Sequence, residues 1–247
     1  MNRFKGQTAI VTGGISGLGL GIVRRLIAEG AFVAVIELCT DMMPDIRKEI
    51  ETSGMIFSGD VSDEVRMEVC IAEVMKSRGR IDVLVNCAGV TGQTNLKSHE
   101  VRTADFDYVM AVNVRGAFLT TKFVLPVMLS CGYGRILHVA SIAGKEGNAG
   151  MLAYSVSKAA VVGMTKTQGK DYAGSGVTIN ALAPAVIETP MVAALPPEQR
   201  TYMTEKIPMK RCGTVSEFAS MASFIVSPET SFTTGFTFDL SGGRAVY

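Results

Sequence analysis

Short apolar runs alternate with longer segments of helical periodicity along nearly all of the chain. Residues 8–11, 32–36, 55–57, 81–85, 135–139, 177–182 and 236–240 read as strands; the most continuously apolar of them match what burial on both sheet faces requires. Between them, residues 18–28, 41–52, 63–77, 105–129, 151–172 and 216–227 carry helical spacing or helix-compatible composition. Gly30 stops the first of these, Ser62 is placed to cap the third, and Pro126 is expected to kink or end the fourth. Strand–helix alternation of this kind predicts an α/β fold: a doubly wound parallel sheet with helices on both faces. No internal repeat or linker interrupts it, so one domain over residues 1–247 is expected. Residues 183–213 break the pattern with Pro184, Pro190, Pro196, Pro197 and Pro208. Their place just after a core strand reads as a substrate lid.

Composition narrows the partners. Hydrophobic residues are 47% of the chain, charged residues 19%, and the formal net charge is +1, so no field favours nucleic acid or an anionic membrane. Cys39, Cys70, Cys87, Cys131 and Cys212 are odd in number and widely spaced, which argues against a disulfide framework or a zinc site and for reduced thiols in the cytoplasm. The strand at residue 8 leaves no room for a signal peptide. Arg115, Lys122 and Pro126 break the most apolar stretch, so no membrane span is expected.

Candidate chemistry lies at the strand ends. Thr12-Gly13-Gly14-Ile15-Ser16-Gly17-Leu18-Gly19 joins the first strand to the first helix. Glycines there let the backbone approach a pyrophosphate, and the helix start offers N–H groups and a positive dipole end. Glu37 ends the second strand, where a carboxylate can accept both hydroxyls of an adenosine ribose and repel a 2′-phosphate. NAD is therefore expected over NADP, and neither Ile15 nor Leu38 supplies a cation for that phosphate. Asp60 and Val61 can flank the adenine, and Asn86, Cys87, Ala88 and Gly89 place small groups along the cofactor path.

Tyr154 and Lys158 are four apart and share one helix face. An ammonium one turn away favours a phenolate, which suits a tyrosine for acid–base work. Ser141, after the fifth strand, can hold a substrate oxygen. With these residues in place, the chain resembles the short-chain dehydrogenase/reductase family over nearly its whole length. Residues 12–19 match the family's Thr-Gly-x-x-x-Gly-x-Gly loop, and residues 86–89 its Asn-Asn-Ala-Gly motif with Cys87 in second place. Asn113, Ser141, Tyr154 and Lys158 match its catalytic tetrad in order and spacing. The resemblance implies a Rossmann fold, a homotetramer packed through two long helices, and a proton relay in which Asn113 holds a water and Lys158 binds the nicotinamide ribose. It also places Pro184, Val186, Ile187 and Thr189 beside the nicotinamide, with Ala185 where relatives often have glycine.

The branch most similar is that of the 3-oxoacyl-carrier-protein reductases, but Glu37 argues against their usual NADPH. Lys145, Glu146 and Asn148 form a polar strip between Ser141 and Tyr154. It reads either as a solvated loop or as one edge of a site for a hydroxylated or carboxylated substrate. Residues 144–150 and the Gly-Gly-Arg-Ala-Val-Tyr tail resemble those of sugar-acid dehydrogenases acting on 2-keto-3-deoxy acids. Lys145, Asn148 and Arg244 are thus candidate substrate contacts, with Arg244 or Tyr247 reaching a neighbouring subunit's pocket. The expected activity is NAD-dependent interconversion of a secondary alcohol and a ketone. The alternatives are 3-oxoacyl-thioester reduction and a non-catalytic dinucleotide-binding regulator.

Overall fold

Every apolar run becomes a strand of one all-parallel sheet, ordered β3-β2-β1-β4-β5-β6-β9. The strands are β1 (Thr8–Thr12), β2 (Phe32–Glu37), β3 (Gly54–Ser58), β4 (Val83–Asn86), β5 (Gly134–Val139), β6 (Val177–Pro184) and β9 (Thr237–Leu240). A separate parallel pair, β7 (Ile187–Glu188) and β8 (Gly213–Thr214), lies in the connection from β6. The helices are α1 (Gly17–Ala28), α2 (Pro44–Glu51), α3 (Glu64–Arg78), α4 (Thr103–Met110), α5 (Gly116–Cys131), α6 (Ala143–Glu146), α7 (Leu152–Asp171), α8 (Pro190–Ala193), α9 (Pro197–Glu205) and α10 (Val215–Ile225). This computed structural model describes residues 2–39, 44–194, 197–245 and 247; Asp41 and Pro196 of the sequence reading lie outside them.

The pleat divides the apolar side chains between two cores. Val11, Val33, Val35, Val85 and Leu137 pack with Ile22, Leu26, Ile50 and Phe218 of α1, α2 and α10. Ile10, Ile36, Leu84, Ile136 and Ile179 face Met67, Val74, Leu119 and Met128 of α3 and α5, and Val161 of α7 packs on Ala181 and Ala183 of the same face. Chain order reverses between β1 and β4, so their following loops diverge and open a crevice at the strand carboxyl ends, where ligands of such folds bind.

Four local expectations need correction. Asp63, not Ser62, caps α3: its carboxylate accepts from the Arg66 N–H at 3.0 Å, while Ser62 bonds Asp60. Pro126 does not end α5, which runs on to Cys131. Pro126 and Lys122 are exposed, so water can serve the carbonyl that the proline leaves unpaired, while buried Val124, Leu125 and Met128 hold the helix on the sheet. The real irregularity is a π-helical turn, Ala111–Arg115, between α4 and α5. By length and composition the joined helix Thr103–Cys131 is apolar enough to cross a bilayer, despite Arg115, Lys122 and Pro126. Here its buried side packs in the core and bonds polar groups of the sheet through Thr120 and Thr121. Finally, residues 183–213 are not one irregular excursion: residues 183 and 184 belong to β6, and β7, α8 and α9 follow within the segment.

Candidate active site

The β1–α1 loop is shaped by its glycines. Gly13 has φ +68°, and a Cβ there would stand 2.9 Å from the Ala88 Cα. A Cβ on Gly19 would meet the Gly13 carbonyl oxygen at 1.9 Å. Only glycine lets this loop close on itself and on the segment after β4. The Thr12 hydroxyl oxygen accepts from the N–H groups of Cys87 and Ala88, both at 3.1 Å, and ties the two loops together. A cavity of about 700 Å³ opens beside them. Gly13, Ser16, Gly17, Leu18 and Gly19 line it, together with Glu37, Leu38, Asp60 and Val61 and with Ala88 and Gly89.

Glu37 is held at the cavity edge because its carboxylate accepts from the Leu38 N–H at 3.1 Å and the Ile15 N–H at 3.4 Å. Asn86 takes a different place from the one its motif implied. Its amide bonds the Thr121 hydroxyl at 3.2 Å and accepts from Thr120 at 2.6 Å, so it fastens β4 to α5 rather than lining the cavity. It also meets His138 Nδ1 at 3.1 Å. The Cys87 thiol lines the cavity, but burial pushes its pKa up to about 12, leaving it protonated and unreactive.

A second cavity of about 240 Å³ shares Leu18, Cys87, Gly89, Val90 and Thr189 with the first, so the two adjoin. Ser141, Tyr154 and Lys158 line it together with Pro184, Ala185 and Ile187. Lys158 is buried, its ammonium donates to the Val139 carbonyl at 2.7 Å, and its Nζ lies 5.7 Å from the Tyr154 ring centroid. The Ser141 oxygen accepts from the Ala143 N–H at 3.1 Å, which leaves its own hydrogen to donate. Tyr154 is half-buried, and its hydroxyl has no hydrogen-bond partner among the described residues.

The π-helical turn brings Asn113 to this cluster. Its amide oxygen accepts from the Val90 N–H at 2.8 Å, and its nitrogen donates to the Val90 carbonyl and to Ser157, both at 2.9 Å. Both amide hydrogens are thus used, and a water at Asn113 would have to donate to one of its oxygens. Ser157 in turn donates to the Tyr154 carbonyl at 2.7 Å. Ser157 and Val90 escaped sequence reasoning; nothing local in the sequence shows that a turn 44 residues away reaches α7.

Comparison with known proteins agrees with this geometry. A family profile described as Enoyl-(Acyl carrier protein) reductase matches residues 13–245. The chain belongs to the short-chain dehydrogenase/reductase family. It is 45% identical over 245 residues to a 2-dehydro-3-deoxy-L-rhamnonate dehydrogenase (NAD(+)) from a Sphingomonas species, covering 99% of this chain and 98% of that protein. It is 36% identical to a 3-oxoacyl-[acyl-carrier-protein] reductase from Thermotoga maritima, covering 99% of this chain and 100% of that one. The crystal structure of an NAD+-bound xylitol dehydrogenase superposes with a TM-score of 0.91 at 27% identity, over 97% of this chain and 99% of the other.

Within this family member the remaining nominated residues divide. Thr189 lines both cavities and caps α8 through the Val192 N–H at 3.4 Å. Val186 lies instead in a neighbouring cavity of about 400 Å³, where its carbonyl accepts from the Gly213 N–H at 3.0 Å. Lys145, Asn148 and Arg244 come together, but with one another's neighbours rather than in the lining around Ser141. Lys145 pairs with Asp239 at 2.6 Å, and Arg244 with Glu146 at 2.9 Å and the Asn148 side-chain oxygen at 3.2 Å.

Proposed function

We propose that the protein is an NAD-dependent dehydrogenase that interconverts a secondary alcohol and a ketone on a small polar hydroxy acid or sugar acid, of which 2-dehydro-3-deoxy-L-rhamnonate is the leading candidate. The observation that carries this reading is the convergence of Ser141, Tyr154 and Lys158 on one small cavity adjoining the dinucleotide cavity. The donor set there fits NAD: a glycine cradle that a Cβ would fill, and a Glu37 carboxylate positioned for a ribose diol and against a 2′-phosphate. Gly13, Ser16, Gly17, Leu18 and Gly19 would hold the pyrophosphate, Asp60 and Val61 the adenine, and Lys158, Pro184, Ile187 and Thr189 the nicotinamide side. When bound, NAD accepts or returns a hydride.

The chain's own residues do the rest. Ser141 donates its free hydrogen to the substrate oxygen, and Tyr154 takes the hydroxyl proton as the alcohol is oxidised. Lys158, a fixed cation beside the ring, stabilises the tyrosinate that accepts this proton. Asn113 holds the loop after β4 against α7 through Val90 and Ser157, keeping the two cavities in register. The whole chain acts as one dinucleotide-binding and catalytic domain, with residues 183–213 as lid. Exposed Phe118, Leu129 and Val156 on the long helices support assembly as a homotetramer, and we place it in the cytoplasm.

A steady-state panel tests the substrate. NAD(+) and NADP(+) are compared with 2-dehydro-3-deoxy-L-rhamnonate, other sugar acids and 3-hydroxyacyl thioesters. Turnover with NAD(+) on sugar acids is expected; turnover confined to the thioesters would establish the 3-oxoacyl reductase reading instead, and none at all with any alcohol would favour a regulator.

A further inference from the structure

Helix α6 begins two residues after Ser141 and spans only Ala143–Glu146. A single turn of this length does not hold itself in water, so its position must be imposed from outside. It packs on the catalytic helix by direct backbone contact: a Cβ on Gly144 would stand 2.5 Å from the Lys158 carbonyl carbon. A shift of α6 would therefore disturb Ser141 on one side and Lys158 on the other.

The C-terminal residues hold this helix from its outer side. Arg244 makes charge-assisted bonds to Glu146 at 2.9 Å and to the Asn148 side chain at 3.2 Å, with only 11% of the arginine side chain exposed. The Tyr247 hydroxyl donates to the Lys145 carbonyl at 2.7 Å, satisfying one of the acceptors that the end of a short helix leaves open. The Lys145 ammonium stands 4.9 Å from the Tyr247 ring centroid and pairs with Asp239 of β9. The two cations that could grip a substrate carboxylate are thus already matched by carboxylates of the chain.

We propose that Arg244 and Tyr247 are positioning residues: they clamp α6 from within the same chain and so fix Ser141 against Tyr154 and Lys158. This rests on the reading of Ser141 as the substrate-binding hydroxyl. The clamp gives these side chains a role within their own chain, where the sequence suggested a neighbouring subunit's pocket.

The test follows hydrogen–deuterium exchange of residues 141–150 alongside kinetics with NAD(+) and 2-dehydro-3-deoxy-L-rhamnonate. Arg244→Gln, Glu146→Gln and Tyr247→Phe should each speed exchange in that segment and lower kcat about tenfold, with KM and the Kd for NADH nearly unchanged. The reversed pair Glu146→Arg/Arg244→Glu should recover both exchange protection and kcat. Unchanged exchange in Arg244→Gln and Tyr247→Phe would overturn the clamp, whatever the activity. So would a raised KM in Arg244→Gln with Glu146→Gln normal, because Arg244 would then bind substrate directly. Ser141→Ala is run in parallel: full turnover in that variant would refute the role of Ser141, while the exchange data still decide the clamp.

Discussion

Tyr154 and Lys158 lie one helical turn apart yet differ in what they touch. The lysine is buried and tied to Val139, while the tyrosine hydroxyl has no hydrogen-bond partner among the described residues and lines the smaller cavity with it. That asymmetry suits a fixed cation and a mobile proton. Tyr154→Phe keeps the ring and removes the hydroxyl, so kcat should fall by about 10²- to 10⁴-fold, the usual yield of general acid–base catalysis. NADH titration by fluorescence should show binding little changed. In the proposed function Glu37 is the second decisive residue. Glu37→Ala removes both the ribose acceptor and the repulsion of a 2′-phosphate, so kcat/KM for NAD(+) should drop while that for NADP(+) rises. The ratio of the two measured side by side reports it, and an unaltered ratio would remove Glu37 from coenzyme choice.

At the scale of elements, the way out of the segment 183–213 is set by the start of α10. Thr214 accepts from the Glu217 N–H at 3.1 Å, and the Glu217 carboxylate accepts from the Thr214 N–H at 2.7 Å, a reciprocal capping box. The Arg211 guanidinium bonds the same carboxylate and, with the Thr214 backbone N–H, holds its pKa down to about 2. Thr214→Ala should destabilise the protein by about 1 kcal/mol, or roughly 2–4 °C in Tm by thermal melting. The capping residues stand in sequence three apart and the helix was legible. The π-helical turn was not, because residues 111–115 carry ordinary helical residues and only packing of Asn113 against Val90 and Ser157 gives the bulge a purpose. Likewise α6 read as a polar strip, since Lys145, Glu146 and Asn148 have partners about 100 residues away.

For the whole molecule, a buried polar cluster links the sheet to the helices that carry the site. His138 is fully buried, bonded to Asn86 and, through Nε2, to Gln168 of α7 at 3.0 Å. Burial is the main cause that lowers its pKa from 6.5 to about 4, and the Lys158 charge adds to the effect. The unfolded chain therefore binds this proton more readily than the folded one. The resulting stability is complete above pH 6.5 and is lost as pH falls towards about 4, a change on the order of 3 kcal/mol. Denaturant titrations across that window should show the loss in the parent protein and a shallower slope in His138→Gln. Equal slopes would mean that other groups control acid stability.

The sequence by itself determined the doubly wound architecture, the glycine loop, Glu37 and the order of Asn113, Ser141, Tyr154 and Lys158. These depend on local periodicity and on residue types that backbone geometry or proton chemistry demands at short range. Tertiary structure alone decided that Asn86 braces β4 instead of lining the cavity, that Val186 faces a different cavity, and that Arg244 and Tyr247 grip α6. A hydrogen bond or ion pair forms between whichever groups the fold brings within about 3 Å. For residues separated by dozens of positions, that distance is a property of the packed chain and has no counterpart in sequence spacing.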